Sequence, residues 1–168
     1  MKLRIVGSLV FAAGLVFSVA QAGAGSKTKT ANKSEPHIIN PDAMTWAPAP
    51  NSLPSGAEVV GLDGDMSKKG EFTVRVRMPA NYKIAPHFHP ADEHVTVLSG
   101  SLYMGMGDTL DESAAMEVKT GGFHAIPKGV HHYAFTKSAT TIQLHGVGPW
   151  GITYVNPADD PRKKAASN

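Results

Sequence analysis

The chain has 168 residues, 42% of them hydrophobic and 18% charged, and no cysteine. That composition suits one domain with a packed core and some extra chain, and it excludes wholesale disorder, disulfide bonds and thiolate metal ligands. Sixteen basic and fourteen acidic residues give +2; setting aside Lys2 and Arg4 brings the balance to zero, so charge draws the chain neither to nucleic acid nor to an anionic surface.

Residues 1–22 read as a secretory signal peptide. Lys2 and Arg4 form a positive head, residues 5–20 are mostly apolar, and Ala20-Gln21-Ala22 places small residues at both key positions of a cleavage site. A retained anchor fits less well, because the run is short for a span and contains Gly7, Ser8, Gly14 and Ser18. The expected product is exported, periplasmic or secreted from a bacterium, cut near Ala22/Gly23 and left without a stable membrane anchor. Residues 23–56 follow as a flexible leader and an extended arm. The arm, residues 37–55, is rich in proline, with Ile38, Ile39, Met44 and Trp46 as anchors. It is expected to lie on a barrel or on a partner subunit, and a homodimer is expected through it.

From residue 57 short β-rich runs alternate with turns. The first run is 58–62, ended by Gly64 and the 67–70 turn. Residues 71–78 alternate, with Phe72, Val74, Val76 and Met78 on one side, the pattern of a half-buried strand. A short histidine strand lies between Pro86 and Pro90. Next comes 94–98, and Ser99-Gly100 is expected to close a tight hairpin into 101–106. After a polar loop, strands are expected at 115–119, 123–126, 133–135, 139–145 and 152–155, with turns at Gly121-Gly122 and Pro127-Lys128-Gly129. Residues 157–168 read as a polar tail. No long helical periodicity and no internal repeat interrupts this texture, which favours a β-sandwich or barrel.

The chemistry lies in two stretches. Pro86-His87-Phe88-His89-Pro90-Ala91-Asp92-Glu93 places two imidazoles on one face of a strand with carboxylates close behind. Pro127-Lys128-Gly129-Val130-His131-His132 supplies further imidazoles after a turn. Neutral imidazoles with a carboxylate suit a divalent transition metal, iron, manganese, zinc or nickel. The residues leave open whether Asp92, Glu93 or His94 joins the site, and whether His131 or His132 does. No phosphate loop, thiol nucleophile or Ser-His-Asp order is apparent.

Residues 81–100 resemble the first motif of the cupin superfamily, with His87, His89, Glu93 and Gly100 at the family's spacing and Asn81 where the family usually has glycine. Asn tolerates the left-handed backbone that glycine would supply. Residues 121–136 are similar to the second motif through Gly121, Pro127, Gly129 and His132, with Thr136 in place of the trailing asparagine. The resemblance covers residues 57–156. It implies an all-β fold, a single antiparallel jelly-roll β-barrel, holding one metal through His87, His89, Glu93 and His132. Gly148-Pro149-Trp150 and the Asn156 to Pro161 stretch also look like a compact single-cupin group.

His94, Tyr103 and His145 are further candidates for a pocket or for contacts behind the ligands. His124 is a core or rim histidine that is also in reach of such a role. The expected function is that of a metal-dependent enzyme, dioxygenase-like or isomerase-like, acting on a small molecule. The alternative is a non-catalytic binding or sensing module. The barrel is also similar to the cupin half of certain anti-sigma factors, whose separate helical domain has no counterpart in these 168 residues.

Overall fold

Alternating apolar residues and closely spaced turns build strands rather than helices here. The computed structural model describes residues 36–165, and its strands belong to a unit that begins at Ile38. The expected signal peptide and most of the expected leader lie outside the described residues. Among the described residues no helix is long and apolar enough to cross a membrane.

In chain order the strands are β1 (Ala47–Pro48), β2 (Glu58–Asp63), β3 (Gly70–Met78), β4 (Lys83–Phe88), β5 (Glu93–Ser99), β6 (Ser101–Met106), β7 (Met116–Lys119), β8 (Phe123–Ile126), β9 (His132–Thr136), β10 (Thr140–Gly148) and β11 (Thr153–Tyr154). One sheet has the order β1-β2-β3-β10-β5-β8, the other β11-β4-β9-β6-β7. Every pairing is antiparallel. From β3 to β11 the chain crosses between the sheets at each connection except β6–β7, which gives the jelly roll expected from the sequence.

The core fills the space between the sheets. Phe72, Val74, Val76 and Met78 of β3 face inward with Val95 and Val97 of β5, Leu102 and Met104 of β6 and Leu144 of β10. Each such side chain removed from water contributes roughly 1.5–3 kcal/mol before chain entropy is counted.

Ser99-Gly100 does not close a hairpin. β5 and β6 lie in different sheets, so this turn is a corner at which the chain changes layers. Gly100 makes the corner at φ 74°, where a methyl group would sit 2.5 Å from the Ala139 carbonyl oxygen. Replacing Gly100 by alanine therefore forces both backbone strain and a clash with main chain. The expected cost is about 1–3 kcal/mol, read as a lower melting temperature in thermal denaturation. Asn81 adopts φ 60°, the backbone that its position in the first motif requires.

The arm docks on its own barrel. β1 pairs with β2, the Arg77 guanidinium lies 4.5 Å above the Trp46 ring, and the hydroxyls of Tyr82 and Tyr154 donate to the carbonyls of Pro54 and Ser52. Ile38 is not an anchor: it is 90% exposed. The polar tail is also more structured than its composition suggests. A 3-10 turn at Pro157–Asp159 and helix α1 (Pro161–Ala165) follow β11. The Asn156 side chain accepts from Ala158 N, and Arg162 reaches both Asp160 and the Ile152 carbonyl.

Candidate metal centre

Three elements bring the imidazoles together. His87 lies near the end of β4, His89 just beyond it, and His132 opens β9. β4 and β9 are neighbours, and His87 stands directly opposite His132. The register shifts between Ile84, paired with Ala134, and His87, so β4 carries one extra residue there. Strict alternation from the inward Ile84 would turn His87 to the outside; the bulge resets the face. Pro86, which has no N–H to give to the ladder, sits inside it.

The ring centroids of His87 and His132 are 4.2 Å apart, those of His87 and His89 5.0 Å, and those of His89 and His132 5.3 Å. One nitrogen from each ring lies within 4.8 Å of the others. The remaining nitrogens are all engaged. Nδ1 of His87 meets the Ala85 carbonyl at 2.7 Å, Nδ1 of His89 the Gly151 carbonyl at 2.7 Å, and Nδ1 of His132 the Val130 carbonyl at 3.0 Å. A carbonyl only accepts, so each Nδ1 holds the proton and each Nε2 presents a lone pair to the centre. Trp150 stacks on His89 with centroids 4.4 Å apart and packs edge-on against Phe72, which fixes the ring plane.

Glu93, the first residue of β5, closes the group. Its Oε2 is 3.3 Å from His132 Nε2 and its Oε1 is 3.6 Å from His89 Nε2. Both nitrogens are buried and have no hydrogen-bond partner among the described residues. A lone pair facing a carboxylate oxygen in a buried site is repulsive unless a cation lies between them. The donor set, three imidazole nitrogens and one carboxylate, is that of a first-row transition ion. The residues therefore fit a metal. Burial, with the neighbouring His132 and His89 rings next, pushes His87 down to about 3. Burial likewise lowers His89 against the pull of Glu93. Burial pushes Glu93 up, and the His124 and His132 rings pull the carboxyl below the usual range when they turn an N–H toward it. Burial thus keeps His87 and His89 in the neutral form that binds a metal.

The neighbouring alternatives face elsewhere. Asp92 accepts from Lys128 N at 2.7 Å and ties two loops together. His131 points outward, bonds Asp108 at 2.6 Å and stacks on Phe88. Three expected pocket residues are corrected. His94 and His145 lie on the outer face, paired across β5 and β10 beside Phe123. Tyr103 stacks outside on Phe135 under Lys137. Strand alternation is the reason: Glu93, Leu144 and Leu102 face in, so their neighbours His94, His145 and Tyr103 face out. His124 faces in, with Nε2 3.7 Å from Glu93 Oε2. The carbonyls that orient the triad belong to Ala85, Val130 and Gly151, and backbone groups leave no signature in residue types.

Beside the triad lies a cavity of about 230 Å³. His87, His89 and Glu93 form one side; Val74, Val76, Ile142, Leu144, Ile152 and Trp150 supply much of the rest, and Pro50, Ser52 and Leu53 of the arm border it. Its lining contains no lysine or arginine.

A family model described as the ChrR cupin-like domain matches residues 34–150. The chain belongs to that cupin family. No curated protein matches it. Among solved structures it is similar to the polyketide cyclase RemF from Streptomyces resistomycificus, at 17% identity over 79% of this chain and 94% of that one, with TM-score 0.64. A candidate acetylacetone dioxygenase from Methylibium petroleiphilum matches at 19% identity over 78% and 88%, with TM-score 0.60. An RmlC-like cupin from Shewanella frigidimarina matches at 12% over 67% and 91%, with TM-score 0.53. At these identities the likeness is one of fold, and the function has to be argued from the site.

Proposed function

We propose that this protein is an exported cupin that holds one divalent transition ion, iron, manganese, zinc or nickel, through His87, His89, Glu93 and His132. We further propose that it acts there on a small, largely apolar molecule as a dioxygenase-like or isomerase-like enzyme. The observation that carries this reading is the convergence of three imidazole nitrogens within 4.8 Å of one another at the wall of an apolar cavity. Export rests on the reading of residues 1–22. We also propose a homodimer; because residues 46–54 meet their partners within one chain, it would not need an exchanged arm.

The chemistry of the walls narrows the ligand. Three neutral imidazoles and one carboxylate leave a divalent ion with a net positive charge, which favours one anionic or easily ionised oxygen end on the ligand. With no cationic side chain in the lining, a second anionic group would be desolvated without a partner. The apolar wall removes about 25 cal/mol of unfavourable hydration per Å² of ligand surface that it covers. An ion held at the triad would supply Lewis-acid polarisation of a bound oxygen. The protein's part is to hold that oxygen end at the histidine side, exclude water along the valine and isoleucine wall, and keep Glu93 ionised.

Metal analysis of the freshly purified protein is the first test. The second loads the protein with Co(II) and follows its visible absorption while adding benzohydroxamate, which has a flat apolar body and one chelating anionic end, or oxalate, which has two charges and no body. Burying the phenyl ring is worth about 2 kcal/mol, so benzohydroxamate is expected to bind at least about tenfold more tightly than oxalate. Equal binding, or a preference for oxalate, would contradict the apolar assignment. Oxygen-uptake screening with small enolisable and phenolic compounds then separates an enzyme from a sensing module, which would bind without turnover.

A further inference from the structure

His124 sits on the inner face of β8 but outside the imidazole triad. In the β5–β8 ladder Val95 pairs with His124 and Glu93 with Ile126, so His124 and Glu93 are diagonal neighbours on one face. Both ring nitrogens of His124 are buried without a hydrogen-bond partner among the described residues. A neutral imidazole always carries one N–H, and a buried donor is costly to leave unpaired. Nε2 lies 3.7 Å from Glu93 Oε2, about 0.5 Å beyond the usual upper limit for such a bond. A movement of about 0.5 Å would bring the two atoms within hydrogen-bond length. Glu93 Oε1 faces His89 Nε2 at 3.6 Å.

We propose that His124 is a positioning residue for Glu93: its Nε2–H donates to Oε2 and holds the carboxylate against the triad in the orientation that completes the ligand set. The role rests on the metal reading above. It asks of Glu93 what the carbonyls of Ala85, Gly151 and Val130 already do for the histidines, namely that each ligand be held by a second contact. The motif spacing that marks the ligands does not mark His124, because its contact runs across a ladder between separate stretches of chain.

The test uses the processed protein and two variants. His124→Phe keeps the ring volume and removes the donor; His124→Gln keeps a donor of similar reach. Zn(II) affinity is measured by chelator competition, and Co(II) absorption reports the ligand geometry. His124→Phe is expected to weaken Zn(II) binding about 10–100-fold and to move the Co(II) bands toward those of Glu93→Gln, while His124→Gln recovers most of both. If His124→Phe does not fold, His124→Asn replaces it, since its shorter amide falls short of Oε2 and the same loss is expected. A donorless variant with wild-type affinity and unchanged Co(II) bands would overturn the role and leave the metal reading standing. A wild-type protein that binds neither ion would overturn both.

Discussion

The double variant His87→Ala/His89→Ala is expected to purify without metal and to bind Zn(II) about ten-thousandfold more weakly than the wild type. Structural zinc sites of four ligands are worth about 10–16 kcal/mol, or roughly 3 kcal/mol for each ligand. Two lost imidazoles therefore remove about 6 kcal/mol, and every 1.4 kcal/mol is tenfold. The fold is expected to survive. In the apo protein these rings crowd one another and Glu93 without a compensating hydrogen bond at His89 Nε2, so truncation relieves an electrostatic cost while it opens a small void. Elemental analysis with far-UV circular dichroism measures both halves. Full metal retention in a folded double variant would remove these residues from the site.

The second large effect is acid sensitivity of the metal-free protein. His87 is pushed down to about 3 in the folded protein from an unfolded value near 6.5. Below pH 6.5 the unfolded chain takes up a proton that the native chain refuses, so the native state loses stability as the pH falls, down to about pH 3. Each pH unit in that window costs about 1.4 kcal/mol for a fully shifted group, or about 3 kcal/mol from His87 alone at pH 4.5. His89, also lowered, acts in the same direction. Glu93, held below its usual range, adds its own loss once the pH falls below the ordinary carboxylate value. Against a typical total of 5–15 kcal/mol this is a large fraction. Bound metal stabilises the native state at neutral pH by mass action and is released as its ligands protonate. Urea denaturation in the presence of a chelator at pH 7.5, 6 and 5 reads the trend. A midpoint that does not move across that range would contradict the burial of neutral imidazoles.

Much of the strand pattern is written in local alternation. Phe72, Val74, Val76 and Met78 announce one buried face, and that face lies in the core. Asn81 can replace a glycine because its side chain tolerates the left-handed backbone found there. Motif spacing also pointed to His132 over His131 and to Glu93 over Asp92; His132 Nε2 and Glu93 Oε2 lie 3.3 Å apart.

Other features depend on which strands become neighbours. Ser99-Gly100 reads as a hairpin because the runs on either side are β-rich and close together, yet each finds its ladder partners elsewhere. Ile38 looks like an anchor by hydrophobicity alone and is 90% exposed. His94, Tyr103 and His145 have chemistry that suits a pocket, but each alternates with an inward neighbour and so faces out.

Residue types and their spacing were enough to select an all-β chain with a cluster of imidazoles and a carboxylate, because side-chain period and turn chemistry are local properties. Convergence was not local. It required β4 and β9 to pair with one extra residue before His87, the carbonyl of Gly151 to reach the His89 ring from a distant segment, and two sheets to enclose an apolar cavity beside the rings. Those outcomes depend on contacts between segments far apart in the chain, which only packing brings within reach of one another.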